Sequence, residues 1–300
     1  MATEKIQTVW IAVPFYKNIE SGTQDCLDAM LNYENLKIQQ GIVSEYTFIH
    51  RRKEGTNKST VSREAQIQDA LDYGADWILW IDSDMTFPKY TLEEMWANRK
   101  KNGIVGAYCV WRKEPHFPTC GRMSEDGFML VNWFNRKLLG SGLHIQDATG
   151  MGVTMVDMDV YRKMEPKGGD SPAMIKAVES ILKDADDLNV EEAIKRIDDA
   201  NGYWGWYLTD SVSGTLKSYD GREIRVKNRR MGNDYAFCVN AKRHHDVNCY
   251  LLSTPKLPYV GHIGEQVFTP HDWYGMLEFS EKKLHAMLNR LKSKDKWNFF

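Results

Sequence analysis

Cysteine is scarce in this chain of 300 residues, and its five cysteines include no CxxC pair. An odd number without paired spacing argues against a disulfide framework and favours reduced thiols within a core. One group, Cys238, His244, His245 and Cys249, carries the side-chain types that zinc accepts. Its spacing matches no common zinc module, and Cys238 lies within an apolar pattern, so a structural zinc site is the weaker interpretation.

Long apolar runs and an excess of one charge are also lacking. The longest apolar runs, 77–81 and 104–111, are far too short to cross a bilayer, and residues 3–5 are polar where a secretory signal is apolar. Lys plus Arg number 39 and Asp plus Glu number 41, which excludes a histone-like polycation but allows local basic patches. Hydrophobic residues make up 42%, which excludes wholesale disorder. We expect a cytoplasmic protein with no transmembrane segment.

Strands and helices alternate along the first 110 residues. Apolar runs predict strands at 9–14, 45–50, 77–81 and 104–110. Helical spacing predicts helices at 23–37, 62–73 and 90–101, and residues 51–58 read as a polar, basic loop. This alternation predicts an α/β fold whose central sheet is mostly parallel and covered by helices on both faces. Such sheets bind ligands at the carboxyl ends of their strands.

The second half of the chain is less regular. Glycines lead into an apolar strand at 149–160, a helix is predicted at 234–242, and a terminal amphipathic helix follows from residue 276. An acidic segment at 166–200 has helical spacing and looks inserted. We therefore expect one main domain at 1–265, with the insertion on its acceptor side, and a helical extension at 266–300.

An acidic pair follows the predicted strand 77–81 directly. Asp82 and Asp84 bracket Ser83, and carboxylates two residues apart in an extended chain point to the same side. Two adjacent anions repel one another unless a cation or donor groups compensate, so a divalent metal is expected beside them. The alternative is a solvated turn, because Asp and Ser are common turn residues. The position at a strand end favours the metal.

Several motifs, taken in order, resemble GT-A-fold glycosyltransferases. The similarity is to the family 2-like nucleotide-sugar transferases, including the compact members found in bacteriophage genomes. The matching motifs are Val-Pro-Phe-Tyr at 13–16, Ser-Arg-Glu-Ala at 62–65, the Asp-x-Asp segment at 75–85, Gly-Ala-Tyr at 106–108, Thr-Gly-Met-Gly at 149–152, Asp-Tyr-Ala-Phe-Cys at 234–238 and Gly-His-Ile-Gly at 261–264. Together they span about residues 8–165 and 203–265, and their order is more specific than any one of them.

The resemblance implies a metal and a nucleotide-diphosphate sugar, with a UDP-sugar the first choice. Asp84 would ligate the metal, Asp82 would contact ribose or metal-bound water, and His262 would complete the protein ligands. Imidazole combined with carboxylate suits Mn²⁺, with Mg²⁺ the alternative. A cation at this position stabilises the negative charge that develops on the departing diphosphate.

Further donor-site residues are implied on the same basis. They are Pro14, Tyr16, Arg63, Ser83, Arg112, Gly150, Gly152, Trp204 and Trp206. The two arginines are expected to clamp phosphate, since guanidinium offers paired donors. The two glycines are expected to let the backbone approach the sugar, and the tryptophans to stack on a sugar or a base. Ordinary surface charge, a turn and core packing are the respective alternatives.

Asp234 is the candidate general base. A positioned carboxylate that takes the proton of an acceptor hydroxyl contributes roughly 10²–10⁴ in rate. Members of the family generally have Glu-Asp here, whereas this chain has Asn233 before the aspartate. The alternative is a helix N-terminal acid that is stabilised by the helix dipole.

The acceptor is least determined by the sequence. Basic residues cluster at 51–53, 222–230 and 242–245, and basic loops bind nucleic-acid phosphates without regard to sequence. Together with the phage-type resemblance, this suggests a hydroxymethylated pyrimidine in DNA as acceptor, in the host cytoplasm if a phage encodes the protein. A saccharide, a glycolipid or a protein side chain stays open. So do two other classes, a nucleotidyltransferase and a non-catalytic nucleotide-sugar binding protein.

Overall fold

A seven-stranded sheet forms the centre of the structure, a computed structural model that describes residues 5–54, 59–112, 118–123, 129–131, 139–164, 206–207, 211–217, 223–230, 232–264 and 267–270. The strands lie in the order β2 (Tyr46–Glu54), β1 (Gln7–Phe15), β3 (Trp77–Ile81), β10 (Val153–Asp157), β5 (Gly103–Ala107), β13 (Asn248–Ser253) and β8 (Gly142–Gln146).

Strand direction makes this sheet mostly parallel. β1 pairs in parallel with β2 and β3, and β13 pairs in parallel with β5. β10 is antiparallel to both β3 and β5, so those two strands point the same way. β8 at the edge is antiparallel to β13. Only β10 and β8 therefore run against the other strands of this sheet.

Helices cover both faces, because successive residues of the central strands point to opposite sides. The five described helices are α1 (Ser21–Gln39), α2 (Ser59–Tyr73), α3 (Thr91–Ala97), α4 (Met158–Lys163) and α5 (Asn233–His245). Trp80 of β3 packs in one core with residues of α2, α4 and α5. Leu79 packs in a second core with residues of α1 and α3. The predicted fold class, α/β with a mostly parallel sheet covered on both faces, is confirmed.

In the part of the chain that the structure describes, three smaller sheets accompany the central one. The strands outside it are β4 (Met85–Thr86), β6 (Cys120–Met123), β7 (Met129–Val131), β9 (Ala148–Thr149), β11 (Ser211–Lys217), β12 (Glu223–Arg230), β14 (Gly261–Ile263) and β15 (Val267–Phe268). They form the sheets β15-β14-β4 and β7-β6-β9 and the two-stranded ribbon β11-β12. The first of these joins the strand-end acids to the late part of the chain.

Three predicted boundaries are corrected. The basic loop expected from residue 51 is strand up to Glu54, because β2 continues to pair with β1 as far as Phe15. The helix expected at 90–101 ends at Ala97, where the Asn98 side chain donates to the Glu94 carbonyl at 2.9 Å and competes with the helical hydrogen bond. The strand expected up to residue 110 ends at Ala107.

The predicted insertion at 166–200 and the terminal helix from residue 276 lie outside the described residues, and so does Trp204. Within the described ranges, no helix is long and apolar enough to cross a membrane.

Candidate active site

The acidic pair lies in a short, well-anchored connection after β3. Asp82 donates its backbone N–H to the Gly152 carbonyl at 2.8 Å. The Ser83 carbonyl accepts hydrogen bonds from the backbone N–H of Glu20 at 2.9 Å and from the Thr23 hydroxyl at 3.1 Å. The start of α1 therefore holds the loop from one side, and the segment before β10 holds it from the other.

Arg63 joins Asp82 to Asp234. Its Nη2 donates to Asp82 Oδ1 at 2.5 Å, and its Nη1 donates to Asp234 Oδ1 at 2.6 Å. The second oxygen of Asp234 accepts the backbone N–H of Met151 at 3.1 Å. Arg63 is only 3% exposed, whereas each carboxylate side chain is 28% exposed. Two acids from distant parts of the chain are thus fixed on one buried cation.

Burial and charge act against each other on these groups. Burial raises the pKa of Asp234, and the neighbouring Asp82 carboxylate raises it further, while Arg63 opposes both; the result is a pKa above the ordinary value. Burial lowers the pKa of Arg63, but the two carboxylates outweigh it, so the guanidinium stays charged. Asp234 is therefore a carboxylate whose affinity for a proton is enhanced by its surroundings.

Asp84 directly precedes β4, which pairs with β14, the strand that carries His262, and this pairing brings the two halves of the chain together. The N–H of Ile263 donates to the Asp84 carbonyl at 2.7 Å, and His262 pairs with Met85 between β14 and β4. His262 Nδ1 lies 2.6 Å from the Val110 carbonyl oxygen. A carbonyl only accepts, so Nδ1 carries a proton, and Nε2 is the ring nitrogen that a metal would contact.

Arg112 contacts the second acid of the pair. Its Nη1 donates to Asp84 Oδ2 at 2.8 Å, and the arginine side chain is about half exposed, at 51%. This exposure is what a phosphate-binding arginine requires, in contrast to the buried Arg63. The Arg112 guanidinium thus contacts the Asp84 carboxylate, beside which the sequence predicts a metal ion.

The predicted metal ligands are only partly brought together. Among the side chains that the structure describes, no group of three His, Cys, Asp or Glu residues could hold a metal ion. Asp82, one of the three predicted ligands, is bound by Arg63. The donor set of Asp84 and His262 fits a divalent cation, because it combines a carboxylate with an imidazole whose Nδ1 is fixed by a carbonyl. Diphosphate oxygens would have to supply further ligands.

The alternative zinc site is not supported by the positions of its members. Cys238 and Cys249 are buried, Cys238 Sγ donates to the Thr149 carbonyl at 3.6 Å, the neighbouring Cys238 thiol raises the pKa of Cys249, and His244 is exposed at the end of α5. The thiols are core groups. In the described part of the chain all five cysteines are free.

Trp206 is a core residue, contrary to the expectation that it stacks on a ligand. It is 2% exposed, its Nε1 donates to the Tyr161 carbonyl at 3.0 Å, and its ring meets the Tyr161 ring edge-on at 6.1 Å. The neighbouring Tyr207 is also buried, and its ring stacks on Phe237 with centroids 4.7 Å apart. Both rings are buried within the protein, so neither offers a surface to a sugar or a nucleobase.

The two predicted sugar-contacting glycines face protein. A Cβ at Gly150 would lie 3.1 Å from the Thr119 side chain, and one at Gly152 would lie 3.0 Å from the Met85 sulfur. These glycines therefore permit close packing within the chain itself. Of the two predicted donor-site residues near the end of β1, Pro14 is buried and Tyr16 is 53% exposed. Tyr16 is thus the accessible aromatic at this strand end.

Glu64 is a buried group that the sequence did not single out. Its Oε1 accepts the backbone N–H of Tyr207 at 2.7 Å, and it is 4% exposed. It anchors the short aromatic segment beside Arg63. Its sequence signal is the Ser-Arg-Glu-Ala motif at 62–65, which assigns it no role. The Met151 N–H that binds Asp234 has no sequence signal, because every residue except proline carries one.

No family model matches the chain, and no curated protein matches it by sequence. Solved structures resemble it, among them the following three. A197 from STIV is 13% identical, with 89% of this chain and 91% of that chain covered and a TM-score of 0.42. A glycosyltransferase involved in the glycosylation of the major capsid of PBCV-1 is 15% identical over 58% of this chain and 76% of that one, with a TM-score of 0.29.

The third is mannose-1-phosphate geranyltransferase from Thermus thermophilus. It is 9% identical over 83% of this chain and 75% of that chain, with a TM-score of 0.34. These identities and scores are too low to assign the chain to a family or to transfer an activity to it.

Proposed function

We propose that the chain is a nucleotide-sugar-dependent glycosyltransferase. The observation that carries this proposal is that side chains from distant segments converge beyond the carboxyl end of β3. Asp82 and Asp234 bind the same guanidinium, and Asp84 lies beside the strand that carries His262. Ligand binding at strand ends is the rule for sheets of this kind.

Each residue has a separate task in this scheme. Asp84 and His262 would hold a divalent cation, which would supply stabilisation of the negative charge on the leaving nucleotide diphosphate. The half-exposed Arg112 binds the same phosphates. Asp234 takes the proton of the acceptor hydroxyl. That oxygen bonds to the anomeric carbon of the sugar while the bond from the same carbon to the diphosphate oxygen breaks.

A donor and acceptor screen tests the reaction. UDP-, GDP- and ADP-sugars are incubated with Mn²⁺ and with hydroxymethylated DNA, oligosaccharides or peptides, and products are read by mass spectrometry. Gain of a sugar mass on an acceptor supports the proposal. Gain of a nucleotide mass identifies a nucleotidyltransferase instead, and donor binding without any product identifies a non-catalytic binding protein.

Asp234→Asn is the first variant to compare. It keeps the size of the side chain but removes the base, so we expect transfer to fall about 10²–10⁴-fold. Affinity for UDP with Mn²⁺, measured by calorimetry, should stay within about threefold if the loss is confined to proton transfer. Full transfer activity in this variant would show that Asp234 is not the base.

A nucleic acid is the acceptor that we propose. β12 carries Arg225, Lys227, Arg229 and Arg230 against one acid, Glu223. This strand forms a ribbon with β11, and Arg230 precedes Asp234 by only four residues. A strand rich in Arg and Lys that leads to the proposed general base, Asp234, suits the binding of a phosphodiester backbone. The modified group would then be a hydroxymethylated pyrimidine, with a saccharide, glycolipid or protein as alternative outcomes of the screen.

Alanine at both Arg229 and Arg230 tests this acceptor. Each lost phosphate contact should lower the slope of log K against log salt by about one, so we expect weaker and less salt-dependent DNA binding. Fluorescence anisotropy with labelled duplex measures both quantities. The matched control is the double alanine variant of Arg162 and Lys163 on α4. Arg162 binds Asp159 of the same helix, and Lys163 binds Asn102, which precedes β5. Equal DNA binding in both double variants would contradict the ribbon site.

A further inference from the structure

Arg63 is almost wholly enclosed, and both of its terminal nitrogens are used. It comes from α2, Asp82 follows β3, and Asp234 begins α5. The guanidinium spans 19 residues of sequence to one acid and 171 to the other. Its remaining nitrogen, Nε, is buried and has no hydrogen-bond partner among the described residues. Because the residue is only 3% exposed, its N–H groups are almost completely closed off from solvent.

Aromatic rings hold the guanidinium in place. Its central carbon lies 5.9 Å from the Trp80 ring centroid and 5.6 Å from the Tyr207 ring centroid. These rings are themselves fixed, since Trp80 Nε1 donates to the Tyr161 hydroxyl at 2.9 Å and Tyr207 shares a 3.0 Å hydrogen bond with the same hydroxyl. Cation–π contact with fixed rings prevents the guanidinium from swinging out.

This geometry disagrees with the sequence expectation that Arg63 clamps the donor phosphates. A bidentate phosphate contact needs two free, accessible N–H groups. In Arg63 those groups are bonded to carboxylates inside the protein. Arg112, at 51% side-chain exposure, meets the requirement. The role of Arg63 must therefore concern the two carboxylates themselves.

We infer that Arg63 is a positioning residue that aligns the Asp234 carboxylate with the strand end bearing the acidic pair, and that it does not bind the donor. The inference rests on the proposed transfer reaction. Fixing one oxygen of Asp234 through Arg63 and the other through the Met151 N–H leaves the carboxylate one orientation. Catalysis by a base depends on such alignment, because small displacements of a reacting group cost large factors in rate.

Arg63→Met tests the inference, with Arg63→Lys as the conservative variant. We expect Arg63→Met to lower kcat about 100-fold, while affinity for UDP with Mn²⁺ stays within about threefold of wild type. Arg63→Lys should lose less, because it keeps the cation but forms only one of the two bonds well. Added guanidinium should partly restore Arg63→Ala by filling the space between Trp80 and Tyr207. Arg162→Met, an arginine bound to Asp159 and the Ala75 carbonyl, is the control and should retain wild-type kcat.

The outcomes separate this inference from the proposed function. A tenfold loss of UDP affinity with unchanged kcat would mean that Arg63 is a phosphate ligand after all. An active wild type whose Arg63→Met and Arg63→Lys variants keep full kcat would overturn the inference alone. An inactive wild type would overturn the proposed function alone. In that event a crystal structure of Arg63→Met, which keeps neither bond, still decides: we expect Asp234 to leave the Met151 N–H, and an unmoved carboxylate contradicts the inference.

Discussion

At the residue scale, Asp84 has one carboxylate and two potential cationic partners. Arg112 occupies Oδ2 in the structure, at 2.8 Å. A guanidinium and a divalent cation compete for that oxygen, so binding of one weakens binding of the other. An exposed ion pair of this type is worth up to about 1 kcal/mol, which corresponds to a factor of roughly five.

We therefore expect Arg112→Ala to bind Mn²⁺ about two- to fivefold more tightly than wild type when no nucleotide is present. In the presence of UDP the sign should reverse, because the variant has lost a phosphate contact. Electron paramagnetic resonance of free Mn²⁺ measures both affinities. Asp84→Asn serves as the control that should abolish the site, and an unchanged Mn²⁺ affinity in Arg112→Ala would contradict the competition.

At the element scale, the sheet β15-β14-β4 determines where His262 lies. Gly261 pairs with Thr86, and a Cβ there would lie 2.7 Å from both Thr86 Oγ1 and Val267 Cγ1. Such distances require the Thr86 and Val267 side chains or the strands themselves to shift. Glycine at this position is thus needed for the close pairing that holds His262 beside Met85.

Gly261→Ala should separate β14 from β4 and weaken Mn²⁺ binding, and it should lower the free energy of unfolding by about 1–3 kcal/mol. Chemical denaturation measures the stability, and the resonance experiment measures the metal. Gly232→Ala is the matched control, because φ there is −60° and the nearest atom to an added Cβ is 3.9 Å away. Equal losses in both variants would remove the special role of Gly261.

The elements were predictable where local pattern decides them. The run at 77–81 is strand in the structure because every one of its residues is buried. Pairing between distant segments was not predictable. Nothing near residue 153 indicates that β10 inserts antiparallel between β3 and β5, and nothing near Trp206 indicates that Tyr161 will receive its Nε1 hydrogen bond. In the candidate site, residue type and strand-end position pointed to Asp82 and Asp84, and the family resemblance pointed to Asp234. The burial of Arg63, which sequence does not report, argues against the phosphate contact that the resemblance implied for it.

At the scale of the whole molecule, Glu64 links stability to pH. Burial raises the pKa of Glu64 to about 8, against the opposing effect of the N–H groups of Tyr207 and Trp206. Its value in the unfolded chain is 4.5. The folded state therefore binds a proton that the unfolded state releases, so the contribution to stability is full below pH 4.5 and is lost as pH rises towards 8.

Glu64→Gln removes this titration while keeping an acceptor for the Tyr207 N–H. We expect the melting temperature of the variant, relative to wild type, to rise steadily between pH 5 and pH 8. In that range only wild type releases a proton from residue 64 when it unfolds, so only wild type loses stability through this group as pH rises. Circular dichroism melts across that range measure it. Glu45→Gln, at an exposed position, should show a constant difference. A constant difference for Glu64→Gln as well would contradict the prediction that Glu64 links stability to pH in this range.

The position of β10 has a consequence for biosynthesis. A nascent chain released only as far as residue 152 has made β3 and β5 but lacks the strand that lies between them. Both would then expose unpaired edges, which are prone to join other chains. Productive folding must therefore wait until translation has passed residue 157, and Asp234 can reach its arginine only after a further 77 residues leave the ribosome.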